Sequence, residues 1–275
     1  NQNSMLELLN YQFFINALIA TILTSFSCGI IGSYIVAKRL VFISGGIAHS
    51  CLAGIGFGLL VGINPLFSVM IYALLISFLL NYFPDKINIR EDSFIGILWA
   101  FGMALGVFFV SLKTGYSQDL MTYLFGNILI ISRFELLTML ILDIVIISFF
   151  VFFYNEILYI SYDEQYARIQ KLPVNLIKLL LFLLCTFTIV INLRVVGNFL
   201  IIALLTIPQA TANIFTNNFK RIILLSILFC FLSCFLGLYL SYLFEIPSGA
   251  SIIFSAFLYF LICFIIQKII LIFSK

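Results

Sequence analysis

The sequence predicts an all-α polytopic membrane protein, and three observations carry that prediction. Of 275 residues, 64% are hydrophobic and only 9% are charged, where a soluble domain carries about a quarter charged residues. Mean hydropathy is +1.23. Apolar runs of about 20 residues, the length a helix needs to cross hydrocarbon, recur along the whole chain. Residues 1–275 therefore read as a single transmembrane domain.

Nine spans are predicted, roughly over 11–36, 46–62, 66–83, 93–112, 133–155, 175–193, 197–215, 222–243 and 249–267. An odd number puts the termini on opposite sides. With the N-terminus outside, the inner connections and tail hold Lys38, Arg39, Lys86, Arg90, Arg168, Lys171, Lys178, Lys220, Arg221, Lys268 and Lys275, against Lys113, Arg133 and Arg194 outside. That asymmetry follows the positive-inside rule and predicts an outer N-terminus and a cytoplasmic C-terminus. The first run lacks a basic flank and a small-residue cleavage site, so no cleavable leader is expected. The net charge of +3 is spread over short loops and points to no nucleic-acid surface.

An ionisable side chain inside a span costs roughly 2.5–3.5 kcal/mol on insertion scales and is a functional candidate for that reason. Two qualify. The second span, within Phe42–Leu60, carries the chain's only histidine, His49, among Gly45, Gly46, Gly54, Gly56 and Gly58. Those glycines let a neighbouring helix or a permeating ion approach closely. A neutral imidazole suits zinc and other late first-row cations; a ring merely hydrogen-bonded to the next helix is the competing role. Asp143, midway along the fifth span, serves either to neutralise a passing cation or to pair with a polar neighbour.

The seventh span holds Pro208 in its interior, followed by Gln209, Thr211 and Asn213. Proline frees the carbonyl one turn earlier, and unwound backbone at membrane depth belongs inside protein or beside a cavity. The inner connection at about 156–174 is long enough for structure of its own. Asp163 or Ser161 is placed to cap a short helix with Glu164 in its first turn, ended by Pro173. The outer stretch 113–132, broken by Gly115 and Gly126, reads as re-entrant or interfacial. Cys28, Cys51, Cys185, Cys230, Cys234 and Cys263 all fall in apolar runs and read as packing residues.

Catalytic motifs are missing. There is no nucleotide-binding glycine loop followed by Lys and Ser/Thr, no Ser/His/Asp set and no HExxH. The chain is expected not to be an enzyme, and to bind no covalent cofactor.

Five segments resemble, in order, one family. "GSYIVAKRLVFISGGIAHSCLAG", "IGILWAFGMALGVFFVSL", "DLMTYLFGNIL", "VVGNFLIIALLTIPQATA" and "GLYLSYLFEIPSGASII" are similar to elements of the permease subunit of ATP-binding-cassette importers for zinc, manganese or iron(II). These importers are related to those for cobalamin and siderophores. The resemblance implies a permease homodimer in a bacterial-type cytoplasmic membrane, with the pathway on the two-fold axis. It also implies two cytoplasmic ATPase subunits that hydrolyse ATP, and an extracytoplasmic metal-binding protein. "YDEQYARIQKLP" looks like the family's coupling helix, with Asp163, Glu164 and Ala167 matching its pattern and Lys171 standing where glycine is common. His49 would be the metal ligand, with Gly45, Gly46, Asp143, Pro208 and Gln209 along the pathway. Many members have aspartate four residues before this histidine; here the position is Gly45. The expected cargo is zinc, with manganese or iron(II) as alternatives. A siderophore importer or an autonomous cation carrier ranks behind them.

Overall fold

The computed structural model describes residues 11–87, 89–112, 128 and 131–273. The described residues form helices α1 (Gln12–Ala37), α2 (Val41–Val61), α3 (Pro65–Ile87), α4 (Glu91–Leu112), α5 (Arg133–Phe152), α6 (Tyr154–Tyr162), α7 (Glu164–Ile169), α8 (Val174–Val196), α9 (Asn198–Leu204), α10 (Ile207–Phe215), α11 (Phe219–Phe244) and α12 (Ser248–Phe273). Among them, nine segments are long and apolar enough to cross a membrane, the seventh being α9 and α10 together. The predicted outer segment 113–132 lies almost wholly outside the described residues.

Several boundaries differ from the sequence prediction, by up to six residues where α12 runs to Phe273 instead of 267. The second span begins at Val41 instead of 46, because the corner after α1 is tight: Leu40 N–H reaches back to Ile35 O (2.9 Å) and Ile43 N–H starts the next helix on Leu40 O (2.9 Å). His49 thus sits about 12 Å along its helix, at 1.5 Å per residue, well inside the span. The fifth span stops at Phe152 instead of 155. Its start is a capping box, with Ser132 Oγ accepting from Glu135 N–H (3.2 Å) and Ser132 N–H donating to Glu135 Oε2 (2.8 Å).

Small residues bring the helices together. In α2, 89% of the membrane window is buried, against 22% in α4. The two pack backbone to backbone: a Cβ on Gly102 would stand 2.6 Å from Ser50 Cα, one on Gly106 2.7 Å from the Leu52 carbonyl carbon, and one on Gly56 2.7 Å from Gly106 O. The Gly102-x-x-x-Gly106 spacing, not singled out from the sequence, is a membrane helix-packing signature. Gly54 and Gly58 lie against Val69, Ser68 and Pro65 of α3. Four of the five α2 glycines, Gly46 included, therefore serve helix contact.

Many polar side chains in the spans are satisfied internally. Thr21, Ser25 and Ser33 of α1 donate to carbonyls one turn back (2.9, 2.6 and 2.7 Å). Thr24 Oγ1 donates to Asn192 Oδ1 of α8 (2.9 Å), Ser68 Oγ to Gly54 O (2.7 Å) and Gln267 Nε2 to Ile214 O (2.8 Å).

Gly102→Ala should lower stability by about 1–3 kcal/mol, because the helices must part to admit the methyl group. Gly96→Ala, where a Cβ meets nothing within 4 Å, should be neutral or slightly stabilising. Thermal unfolding of the two variants in detergent separates these outcomes.

Candidate functional site

The seventh span is discontinuous. Its first half, α9, starts after Gly197, whose φ of 84° and ψ of 163° suit glycine alone among common residues. It ends at Leu204. Two residues later α10 begins with Pro208 in its first turn. Proline cannot bond the Leu204 carbonyl, and two side chains take it instead: Gln209 Nε2 (3.1 Å) and Cys230 Sγ of α11 (3.6 Å). Gln209 Nε2 also donates to Cys28 O (2.9 Å), seating the broken helix on α1 beside Gly32.

This break positions Asn198 at the first residue of α9, fully buried, where its Nδ2 lies 3.0 Å from His49 Nδ1. His49 is half-buried and held on three sides. Trp99 of α4 stacks on its face, with centroids 4.6 Å apart and planes 8° from parallel. Phe199 meets its edge at 6.3 Å and 75°. Trp99 is in turn anchored by its Nε1, which donates to Met103 Sδ (3.0 Å). Among the described residues no hydrogen bond reaches His49 Nε2. Gly45, one turn earlier, faces the same indole: a Cβ there would lie 3.1 and 3.3 Å from Trp99 ring carbons and 3.7 Å from Ile202 Cδ1. Trp99 thus fills the space an aspartate at 45 would need. The site is one imidazole framed by Gly45, Trp99, Asn198, Phe199 and Ile202, and no group of three or more His, Cys, Asp or Glu is gathered among the described residues.

The other residues expected along the pathway have these surroundings. Gly46 packs on Ile95. Pro208 and Gln209 are buried in the break just described. Asp143, 4% exposed, is on α5, which packs mainly on α1 and α8; Ser27 lies beside it, and neither carboxylate oxygen has a hydrogen-bond partner. Asn198 and Trp99 were missed from the sequence. Trp99 is the chain's one tryptophan, the single hint available.

At the other candidate element, Asp163 caps α7, its Oδ1 accepting from Tyr166 N–H (2.9 Å). Ser161 instead turns inward to Ile157 O (2.6 Å). Glu164 accepts from Lys38 Nζ through Oε2 (2.8 Å) and from Arg168 Nη2 through Oε1 (2.8 Å). Lys38 also donates to Ile160 O (3.1 Å). Ala167, expected to meet the ATPase, is fully buried and holds α7 against the body of the protein. The outward face is Gln165, Tyr166 and Ile169, the last 76% exposed. The helix ends in a Schellman pattern, with Leu172 N–H on Ala167 O (3.2 Å) and Lys171 N–H on Arg168 O (3.0 Å). Lys171 takes the left-handed conformation, φ 57°, so a lysine does here what glycine does elsewhere.

Fold and site together define a multi-pass membrane protein built around a broken helix and a solitary, oriented imidazole. The chain belongs to the ABC 3 transport family, whose profile matches residues 10–267, as the resemblance in its motifs implied. It is 40% identical over 263 residues to an uncharacterized membrane protein of Synechocystis sp., covering 94% of this chain and 92% of that protein. It is 31% identical over 258 residues to the manganese transport system membrane protein MntC of Halalkalibacterium halodurans (94% and 88% covered). It is also 31% identical over 257 residues to the manganese import system permease protein ScaB of Streptococcus gordonii (94% and 92%). Among solved structures, a chain of PsaBC from Streptococcus pneumoniae in complex with Fab superposes with a TM-score of 0.83 at 30% identity, covering 94% and 95% of the two chains.

Burial alone would raise the Glu164 carboxyl. Hydrogen bonds from Lys38 and Arg168, with the charges of Lys178 and Lys38 nearby, more than offset it and hold the group at about 2 against an ordinary 4.5. A depressed carboxylate contributes its stability fully above the ordinary value and loses it as pH falls toward the folded one. Hydrogen-exchange protection of α7 should therefore drop between about pH 4.5 and 2. Glu164→Gln should be less protected above that window and flat across it.

Proposed function

We propose that this chain is the permease subunit of an ABC importer of divalent transition-metal ions, with manganese placed ahead of zinc and iron(II). The observation that carries the reading is the His49 geometry: one imidazole inside a span, fixed on its face, its edge and Nδ1, with Nε2 left unbonded. Family membership supplies the importer framework. Relatives from two organisms bear manganese in their names, which moves that metal ahead of the zinc expected from the motifs alone.

In this reading two copies of the chain form the working unit, and their His49 side chains face the pathway from opposite sides of a two-fold axis. The copies lie with outer N-termini and cytoplasmic C-termini. Two cytoplasmic ATPase subunits hydrolyse ATP and receive the exposed face of α7, and an extracytoplasmic metal-binding protein delivers the ion. The permease itself performs no bond chemistry. A bare divalent ion is too costly to move through hydrocarbon without ligands, yet strong ligands would trap it. A sparse, weak site suits a conduit, and Gly45 in place of aspartate makes this one sparse.

His49→Ala should abolish most cellular manganese accumulation in cells expressing the whole importer, while the complex still assembles. Accumulation of manganese, zinc and iron at wild-type levels would overturn the pathway role. Replacing Asp163 and Glu164 with arginine removes the cap of α7 and its ion pairs. ATPase co-purification and uptake should both fall sharply in that double variant; normal values for both would remove α7 as the docking element.

A further inference from the structure

The geometry points to Asn198 as the positioning residue that decides which ring nitrogen of His49 carries the proton, and so whether Nε2 is open to a metal ion. The inference rests on the reading of His49 as a pathway ligand. A neutral imidazole has one N–H and one lone pair, and only the lone pair ligates. With Asn198 Nδ2 at 3.0 Å from His49 Nδ1, the amide N–H donates, so Nδ1 holds the lone pair and Nε2 the proton. In that arrangement the pathway-facing nitrogen is closed to metal.

The same carboxamide carries the means to reverse this. Asn198 Oδ1 is buried and has no hydrogen-bond partner. Turning the amide over brings that unmet acceptor to Nδ1, which then carries the proton and donates it. Nε2 gives its own proton to water in the pathway as Nδ1 takes one up, so the net charge does not change. The ring is now a ligand. Each orientation leaves one end of the amide unmet, so neither is locked.

The surroundings confine the change to the proton. Trp99 and Phe199 fix the plane of the imidazole, so the ring does not swing away. Gly197 fixes the backbone entry to α9, and Asn198 is fully buried, so the amide has no solvent alternative. Asparagine is suited to the task because it offers Nδ1 a donor or an acceptor. Aspartate offers only an acceptor, and alanine offers neither.

The single histidine makes the test clean. Full-length permease labelled with 15N-histidine and reconstituted in nanodiscs gives one pair of ring-nitrogen resonances. In the metal-free wild type the Nε2–H tautomer should be present. In Asn198→Asp, close to isosteric, the Nδ1–H tautomer should dominate, and zinc(II) used as a diamagnetic probe should bind about tenfold more tightly. In Asn198→Ala zinc(II) binding should weaken by about 10–100-fold, the usual cost of losing the group that orients a metal-ligating histidine. Unchanged tautomer populations and zinc(II) affinity in both variants, with binding abolished by His49→Ala, would overturn the role of Asn198 alone. Zinc(II) binding that survives His49→Ala would overturn the pathway-ligand reading and this inference with it.

Discussion

Hydrocarbon offers no water, so a polar group within a span either finds its partner in the protein or stays unmet, as at Asp143 and Asn198 Oδ1. That constraint organises the structure. The hydroxyls of α1 return to their own helix, and Asn192 answers Thr24 across to α8. The carbonyl that Pro208 leaves unbonded is taken by Gln209 and Cys230. Lipid also removes the hydrophobic drive for helices to associate, since its tails are as apolar as leucine. Close backbone approach replaces it, which is why α2 and α4 meet through Ser50, Gly56, Gly102 and Gly106.

The site follows from the way α2 spends its glycines. Gly46 and Gly56 admit α4, and Gly54 and Gly58 admit α3, so two faces of the helix are closed by neighbours. Gly45 and His49, one turn apart, share the remaining stripe. There the neighbour is no backbone but the tip of Trp99 and the start of α9. Because α9 is a separate seven-residue piece, its first side chain can point at His49 while the rest of the span keeps its seat on α1. An unbroken helix would have to place Asn198 and Gln209 in one fixed relation.

Much of this architecture was legible in the sequence, for a physical reason. Burial in lipid forces composition so strongly that each span stands out, and the proline in the seventh marked its break. Asp163 as a cap was legible because capping is local; Pro173, expected to end the short helix, instead stands at the entry to α8, since α7 already closes at Lys171. What escaped depends on contacts between distant segments. The start of α2 lies five residues before the predicted one, and packing against Ile95 and Trp99 makes Gly45 and Gly46 interior to the helix. That Ala167 is the covered residue of α7 also escaped, because a motif does not reveal which face of a six-residue helix is buried. Asn198 follows a glycine in a segment noted for its proline, and nothing in the chain ties it to a histidine 149 residues away.

The two candidate elements, α7 and the His49 site, are mechanically close although one lies between spans and the other within one. Lys38 is the C-cap of α1, Arg39 takes the left-handed turn with φ 60°, and Leu40 is the N-cap of α2. The residue that grips Glu164 is thus three positions from the first turn of the helix that carries His49. A pull on α7 reaches the α1–α2 corner through a half-buried, doubly bonded carboxylate, where the partial loss of water makes the pairing firmer than a surface ion pair. From there α2 is stiffened along two faces by α3 and α4, so displacement at its base is not absorbed by bending before it reaches His49. At the far side of the ring Asn198 opens the short α9, which lies between Gly197 and the break before Pro208. In the proposed reading, motion delivered along α2 ends at the contact between His49 and Asn198.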